Sequence, residues 1–200
     1  MTGTHVPLLR SDLYEIAYLA GGPRRMVETT VVALIEDGRL RVDRPTGRLH
    51  VVDPHRRHPV EAVVLDAVGA RGRPVWELVR RARSDPRLAT VADGLARNGL
   101  LTRRGGVDAR EPSFWTLSGL TRAGRAALRQ VRQCPPFPPA TGGNAALAVA
   151  LAGPNAWDAE LRTAVFDYDG GAVGGGGGWG GGFGGDCGGG GGGGGGDGGC

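Results

Sequence analysis

The 200-residue sequence contains no lysine, so its basic side chains are arginines apart from four histidines. Exclusive use of arginine, together with many alanines, glycines and valines, is typical of a GC-rich genome. This bias weakens the inference that any single arginine was placed to bind something. The formal net charge is +4, which is compatible with binding to nucleic acid or to an anionic membrane surface but requires neither.

Cysteine and long apolar runs are also scarce. The three cysteines, Cys134, Cys187 and Cys200, do not form the framework of a small secreted protein. The longest apolar run, residues 145–153, is far shorter than the ~18–20 residues that span a bilayer. No basic segment followed by an apolar core opens the chain. We therefore expect a cytoplasmic protein without a signal peptide or a transmembrane span.

The sequence carries no recognisable catalytic motif. It has no serine in a nucleophile elbow, no HExxH pair and no phosphate-binding P-loop. Acidic residues such as Glu15, Glu61 and Glu77 occur singly. We therefore predict that the protein is not an enzyme and uses no cofactor.

The segment that contains His50, Asp53, His55 and His58 offers candidate metal ligands. Imidazole and carboxylate groups suit zinc or nickel. Their spacing matches no established metal motif, however, and prolines bound the segment. The favoured interpretation is a surface linker.

Composition divides the chain into four parts. Residues 1–133 carry the periodic apolar patterns of a folded body, and residues 134–143 form a proline-rich linker. Residues 144–169 contain two short helical pieces split by a Gly-Pro pair, which either dock on the body or bind a partner. Residues 170–200 are nearly pure glycine, which predicts a disordered tail.

Two segments of the body share one plan. In residues 24–42 a helix stops at Gly38 and an extended Leu-containing segment follows, with a second strand at residues 48–51. In residues 88–101 a helix stops at Gly99 and Leu100 opens a strand, which returns at residues 114–117. Further helices are predicted at residues 13–20, 60–68, 75–82 and 121–132. The predicted fold is α+β and mainly helical, with two winged-helix-like units in tandem and a disordered Gly-rich tail.

The segment LTRAGRAALRQVRQ, which follows the second return strand, resembles the end of MarR- and PadR-type winged-helix proteins. Leu120, Thr121, Gly124 and Arg125 stand at the places of their Leu-Thr-x-x-Gly-Arg pattern. The resemblance implies a DNA-binding mode in which the helix before the wing enters the major groove. The arginines that this mode would implicate are Arg24, Arg25, Arg44, Arg48, Arg87, Arg97, Arg103 and Arg104. The alternative is that they are solvated surface residues.

Two further resemblances concern the whole layout. The blocks LYEIAYLAGGP, ALIEDGRL and HPVE, with the Gly-rich tract dotted with cysteine, resemble an uncharacterised actinobacterial family. Many of its members carry transmembrane segments, whereas this chain shows none, and the resemblance implies no established activity. The segments GRL, VVD and WELVRRA are similar to actinobacterial Golgi phosphoprotein-like proteins, which implies peripheral membrane or lipid-headgroup binding.

These observations predict a non-catalytic binding or scaffolding module. Its expected partner is an unidentified protein or a second copy of the chain, with the tail as tether. A winged-helix regulator that binds nucleic acid is the first alternative. A peripheral binder of an anionic membrane surface is the second.

Overall fold

A computed structural model describes residues 12–82, 85–102, 119–133 and 144–167. The mainly helical α+β class predicted from the sequence is confirmed. The elements, in chain order, are α1 (Leu13–Glu36), β1 (Leu40–Asp43), β2 (Arg48–Val51), α2 (Pro59–Val68), α3 (Val75–Ala82), α4 (Pro86–Arg97), α5 (Arg122–Gln133), α6 (Asn144–Ala152), a 3₁₀ turn (Pro154–Ala156) and α7 (Ala159–Val165).

Helix α1 is the centre of the fold. The Oδ1 of Asp12 caps its first turn by accepting a hydrogen bond from the Tyr14 N–H at 3.1 Å. The helix is kinked at Gly21 and Gly22, where Gly22 has φ +72°, and Pro23 opens the second half. The second half is buried almost throughout. It is enclosed because α1 contacts α2, α3, α4, α5, α6 and β1.

Helices α1 and α4 end in the same way, as the sequence repeat predicted. Gly38 and Gly99 both adopt φ +69°. In α1, the N–H of Arg39 donates to the carbonyl of Leu34 at 2.8 Å, which is the long bond of a Schellman motif. In α4, the N–H of Leu100 donates to the carbonyl of Leu95 at 2.9 Å. The repeated sequence therefore specifies a repeated left-handed stop.

The sheet is small. Strands β1 and β2 pair antiparallel, with Leu40 opposite Val51 and Asp43 opposite Arg48. Leu49 also exchanges two backbone hydrogen bonds with Arg73, at 2.9 and 3.1 Å, so the segment between α2 and α3 lies along β2. After α4, Leu101 forms an antiparallel bridge with Leu120. The predicted return strand at residues 114–117 lies outside the described residues.

Side-chain caps fix the starts of α4 and α5. The Oδ1 of Asp85 accepts the N–H of Arg87 at 2.9 Å, and Pro86 occupies the first position of α4. The Oγ1 of Thr121 accepts the N–H of Gly124 at 3.0 Å and donates to the carbonyl of Gly99 at 2.7 Å. The start of α5 is therefore tied to the end of α4. This contact gives a physical role to the Leu-Thr-x-x-Gly-Arg pattern.

Helix α6 packs along α1 and is held at both ends by charged side chains of α1. The carboxylate of Glu36 accepts the N–H groups of Ala145 and Ala146, at 3.3 and 3.0 Å. The Nη1 of Arg25 donates to the carbonyl of Val149 at 3.2 Å, near the other end of α6. An anion at a helix start and a cation near a helix end both favour the helix dipole. Helix α6 has no charged residue of its own, so α1 supplies both groups.

The shared glycine stops give a direct test of the repeat. Gly38→Ala and Gly99→Ala are each expected to destabilise the protein by about 1 kcal/mol, because an added Cβ disfavours positive φ. Neither Cβ would meet another atom within 4 Å, so the loss reports backbone strain alone. Gly94→Ala, inside α4 and equally unobstructed, is the control and is expected to stabilise by about 0.5–1 kcal/mol. Urea unfolding of the three variants measures the difference. Equal midpoints would contradict the left-handed stops.

Candidate functional site

The arginines predicted on the first unit are engaged with neighbouring groups. Arg24 and Arg25 share one carboxylate, with their Nε atoms 2.7 and 3.5 Å from the oxygens of Glu28. Arg44 forms an exposed ion pair with Glu160 of α7 at 2.6 Å. The Nη2 of Arg48 donates to a backbone carbonyl at 3.0 Å. These contacts bind parts of the protein to each other.

The arginines predicted on the second unit behave similarly where they are described. Arg87 lies 2.7 Å from Asp85 and 2.8 Å from Asp66. Its hydrogen bonds to Asp85 lower the pKa of that carboxyl below its ordinary value. The Nε of Arg97 donates to a carbonyl one turn earlier, at 3.4 Å. Arg103 and Arg104 lie outside the described residues. The described arginines that were predicted to contact DNA thus bind several different groups of the protein itself.

A different set of arginines lines one face of α5. Its members, Arg122, Arg125, Arg129 and Arg132, are all exposed. Their spacing of three, four and three residues places them within about 80° of arc, at about 100° per residue. The helix contains no acidic residue. We call this set the α5 basic face.

The α5 basic face lacks carboxylate partners in the described part of the chain. Arg125 donates from Nη1 to the carbonyl of Leu120 at 2.7 Å. No hydrogen bond or ion pair with another described residue is found for Arg122, Arg129 or Arg132. This separates them from the many arginines whose charge is balanced by a neighbouring Asp or Glu. Among the described residues, nothing engages the guanidinium donors of these three arginines, which is the condition for binding an anionic ligand.

The opposite side of α5 fixes the direction of this face. Ala127, Leu128 and Val131 are buried, and α5 contacts α1. Gly124 lies so close to the segment after α4 that an added Cβ would overlap the Leu100 carbonyl oxygen. The helix therefore cannot rotate about its axis without losing buried contacts. The arginines are held on an outward-facing, packed helix.

Sequence reasoning missed this surface. It placed DNA contacts on the helices before the wings and used the α5 segment only for its resemblance to winged-helix proteins. The signal was nevertheless present, because arginines recur every three or four residues while Ala127, Leu128 and Val131 fill the complementary positions.

The other concentrated group of polar side chains lies in the interior. Arg39 is only 2% exposed, and its Nη1 donates to Oε2 of Glu61 at 2.7 Å. The Tyr14 hydroxyl donates to Oε1 of Glu61 at 2.9 Å, and the Arg57 N–H donates to Oε2 at 3.0 Å. Asp53 lies 3.9 Å from the Nε of Arg39. This network joins α1, the hairpin and α2.

The electrostatics of the network are those of a structural ion pair. Burial tends to raise the pKa of Glu61, but hydrogen bonds from Arg39, Arg57 and Tyr14 outweigh it and hold the pKa below its ordinary value. Burial and the Glu61 charge raise the pKa of the Tyr14 hydroxyl. Glu61 therefore stays ionised and Tyr14 stays protonated at neutral pH. Both groups are committed to each other and to Arg39.

The histidine segment does not assemble into a metal site in the described structure. The Nδ1 of His58 accepts the Val60 N–H at 3.1 Å and caps α2, and its Nε2 lies 2.8 Å from Asp12. Asp53 accepts the N–H of His55 at 2.9 Å. Across residues 12–82, 85–102, 119–133 and 144–167, no group of three or more His, Cys, Asp or Glu could hold a metal ion.

Within the described part of the chain, the helices are too short or too polar to cross a bilayer. Comparisons with protein-family models, curated proteins and solved structures give no match to this chain. The family resemblances drawn from the sequence therefore stay predictions.

Replacement of each buried glutamate, Glu61 or Glu28, by glutamine is expected to change the pH dependence of stability, and in opposite directions. Glu61→Gln is expected to cost roughly 3–5 kcal/mol at neutral pH, because it leaves the buried charge of Arg39 without its main partner. Because the folded-state pKa of Glu61 is lowered, its stabilisation is present above the unfolded value of 4.5 and is lost as the pH falls through the folded value. The gap between wild type and this variant should therefore shrink in acid.

Glu28→Gln is the matched comparison. Burial raises the pKa of Glu28 in spite of Arg24 and Arg25, so its ionised form opposes folding at neutral pH and this penalty disappears as the pH falls. Wild type should gain stability relative to Glu28→Gln in acid. Urea unfolding between about pH 7 and about pH 3 measures both gaps, because the stabilisation by Glu61 is lost only below the unfolded value. If the two stability gaps changed with pH in the same direction, the environments assigned to Glu61 and Glu28 would be contradicted.

Proposed function

We propose that the protein is a non-catalytic binding module that docks on an anionic macromolecule through the α5 basic face. The observation that carries this proposal is the contrast among the arginines. Most of those described are paired with carboxylates inside the protein, for example Arg24, Arg44 and Arg87. Arg122, Arg129 and Arg132 are exposed on one helix face and have no such pair with any residue of the described ranges. Charge complementarity therefore points to an anionic partner.

The proposal includes two winged-helix-like units as the scaffold of the module. Supporting it, α1 and α4 share the same left-handed stop, and each is followed by antiparallel pairing. In the second unit the bridge between Leu101 and Leu120 leads directly into α5. The basic face then belongs to the helix that follows the second wing.

The first unit is less suited to contact a large ligand through its helix. Residues 26–32 of α1 are buried, and α6 covers part of this helix. A helix enclosed in this way has no free face to place in a DNA groove. Arg24 and Arg25, at the start of this stretch, are engaged with Glu28 and α6. This favours the second unit as the binding half.

Retention on immobilised heparin, a generic polyanion, tests the proposed function. The full chain is expected to bind and to elute with salt. Arg129→Gln combined with Arg132→Gln should elute at clearly lower salt, because two of the four charges of the face are removed. Neither substitution should change the unfolding midpoint measurably, since both side chains are exposed and unpaired in the described structure.

The matched control is Arg41→Gln combined with Arg71→Gln. These arginines are exposed, belong to segments other than α5, and have no ion pair with another described residue. The control removes the same net charge and should elute close to wild type. Equal losses in both double variants would show that net charge alone causes retention and would contradict a specific face. No retention of the wild-type chain would overturn the proposed function.

A further inference from the structure

We infer that the partner of the α5 basic face is double-stranded DNA, held by its phosphate backbone without reading of the base sequence. This inference rests on the proposed function and names its ligand. It is carried by the spacing of the charges, the chemistry of the exposed side chains and the burial of the apolar ones.

The length of the face matches a run of phosphates. Arg122 and Arg132 are ten residues apart, which corresponds to about 15 Å along a helix with a rise of about 1.5 Å per residue. One DNA strand presents a phosphate about every 3.4 Å along the duplex axis, so 15 Å holds about four phosphates. The face carries four arginines. A straight row of cations therefore meets a comparable row of anions.

The side chains are chemically suited to phosphate. A guanidinium offers a planar pair of N–H donors that fits two phosphate oxygens. Arg122, Arg129 and Arg132 have these donors unengaged within the described structure, while Arg125 uses one of them for the Leu120 carbonyl. No carboxylate on α5 repels the ligand.

The same face is poorly suited to a membrane. A helix that lies in a lipid interface buries an apolar side in the acyl region. The apolar side of α5, including Leu128 and Val131, is already buried in the protein, and Gln130 and Gln133 are the other long exposed side chains. The large exposed apolar residues of the described structure, Val52 and Trp76, lie on other elements. Binding through α5 is therefore electrostatic and needs no apolar insertion.

Contacts of this kind position a protein on DNA but carry no sequence information. Base reading requires side chains at the edges of the bases, supplied by a helix in the major groove. The enclosed α1 cannot supply them. The exposed residues of α4 are Pro86, Thr90, Asp93 and Arg97, and only Thr90 and Arg97 among them carry a side chain that can donate to a base edge. The structure therefore favours backbone binding over base reading.

Fluorescence anisotropy of the full chain with two labelled duplexes of equal length and unrelated sequence tests the inference. Affinities within about threefold of each other are expected, with log K falling against log salt at a slope of about −3 to −4 for four contacts. Arg129→Gln combined with Arg132→Gln should reduce the steepness by about two. The Arg41→Gln and Arg71→Gln pair should leave the slope unchanged.

The outcomes separate this inference from the proposed function. Retention on heparin with binding to phosphatidylserine-containing vesicles but not to duplexes would keep the function and overturn DNA as the partner. A preference above about tenfold for one duplex would overturn sequence independence. An unchanged slope in the α5 variant would place the contact on another surface. Failure to bind heparin, vesicles and duplexes would overturn the function and the inference together.

Discussion

A guanidinium can remain in a protein interior only if an opposite charge lies against it, and this requirement fixes the relation of three elements here. Arg39 follows the stop of α1, and Glu61 lies in the first turn of α2. Their 2.7 Å contact, with Tyr14 on the second carboxylate oxygen, holds α2 against the start of α1 and the root of the hairpin. Such a pair adds little net stability but penalises every packing that separates the two charges. It therefore specifies one arrangement of these elements.

The same principle, applied to the surface, separates structural arginines from those available for binding. In a chain without lysine, arginine serves every role that needs a cation. Arg25 donates a hydrogen bond to a backbone carbonyl of α6, and Arg44 pairs the hairpin with α7. Arg87 joins α2 to α4 through Asp66 and Asp85. Only the structure distinguishes these from the arginines of α5, because the distinction depends on which carboxylates lie nearby in space.

Local features were the most predictable from the sequence. Gly38 and Gly99 marked helix ends correctly, since backbone conformation depends on a few adjacent residues. The hairpin of β1 and β2 was also predicted correctly. Features that depend on distant residues were missed. The pairing of Leu49 with Arg73 and the capping of α6 by Glu36 join segments far apart in sequence, and no local pattern announces them.

Arg39 shows how a correct local pattern can mislead. The extended segment predicted after Gly38 is a strand, and an arginine beside a short strand is ordinarily exposed to water. The residue instead precedes the strand, where the left-handed Gly38 turns the chain inward and directs the guanidinium to Glu61. The α5 arginines are the opposite case. Their periodicity can be seen in the sequence, whereas the absence of carboxylate partners among the described residues can be seen only in the structure.

The cover of α1 by α6 also has a consequence for the order in which the chain folds during synthesis. Helix α1 is complete once residue 36 has been made, yet the helix that packs along it starts at residue 144. More than a hundred residues must be translated, at roughly 5–20 residues per second, before that face is closed, so for several seconds it stays open to other chains. The loop closure that brings the two helices together is long-range and slow in comparison with helix formation. Helix α6, which is synthesised late, is thus required to cover α1, which is synthesised first. A nascent or truncated chain is therefore the form of this protein most exposed to aggregation.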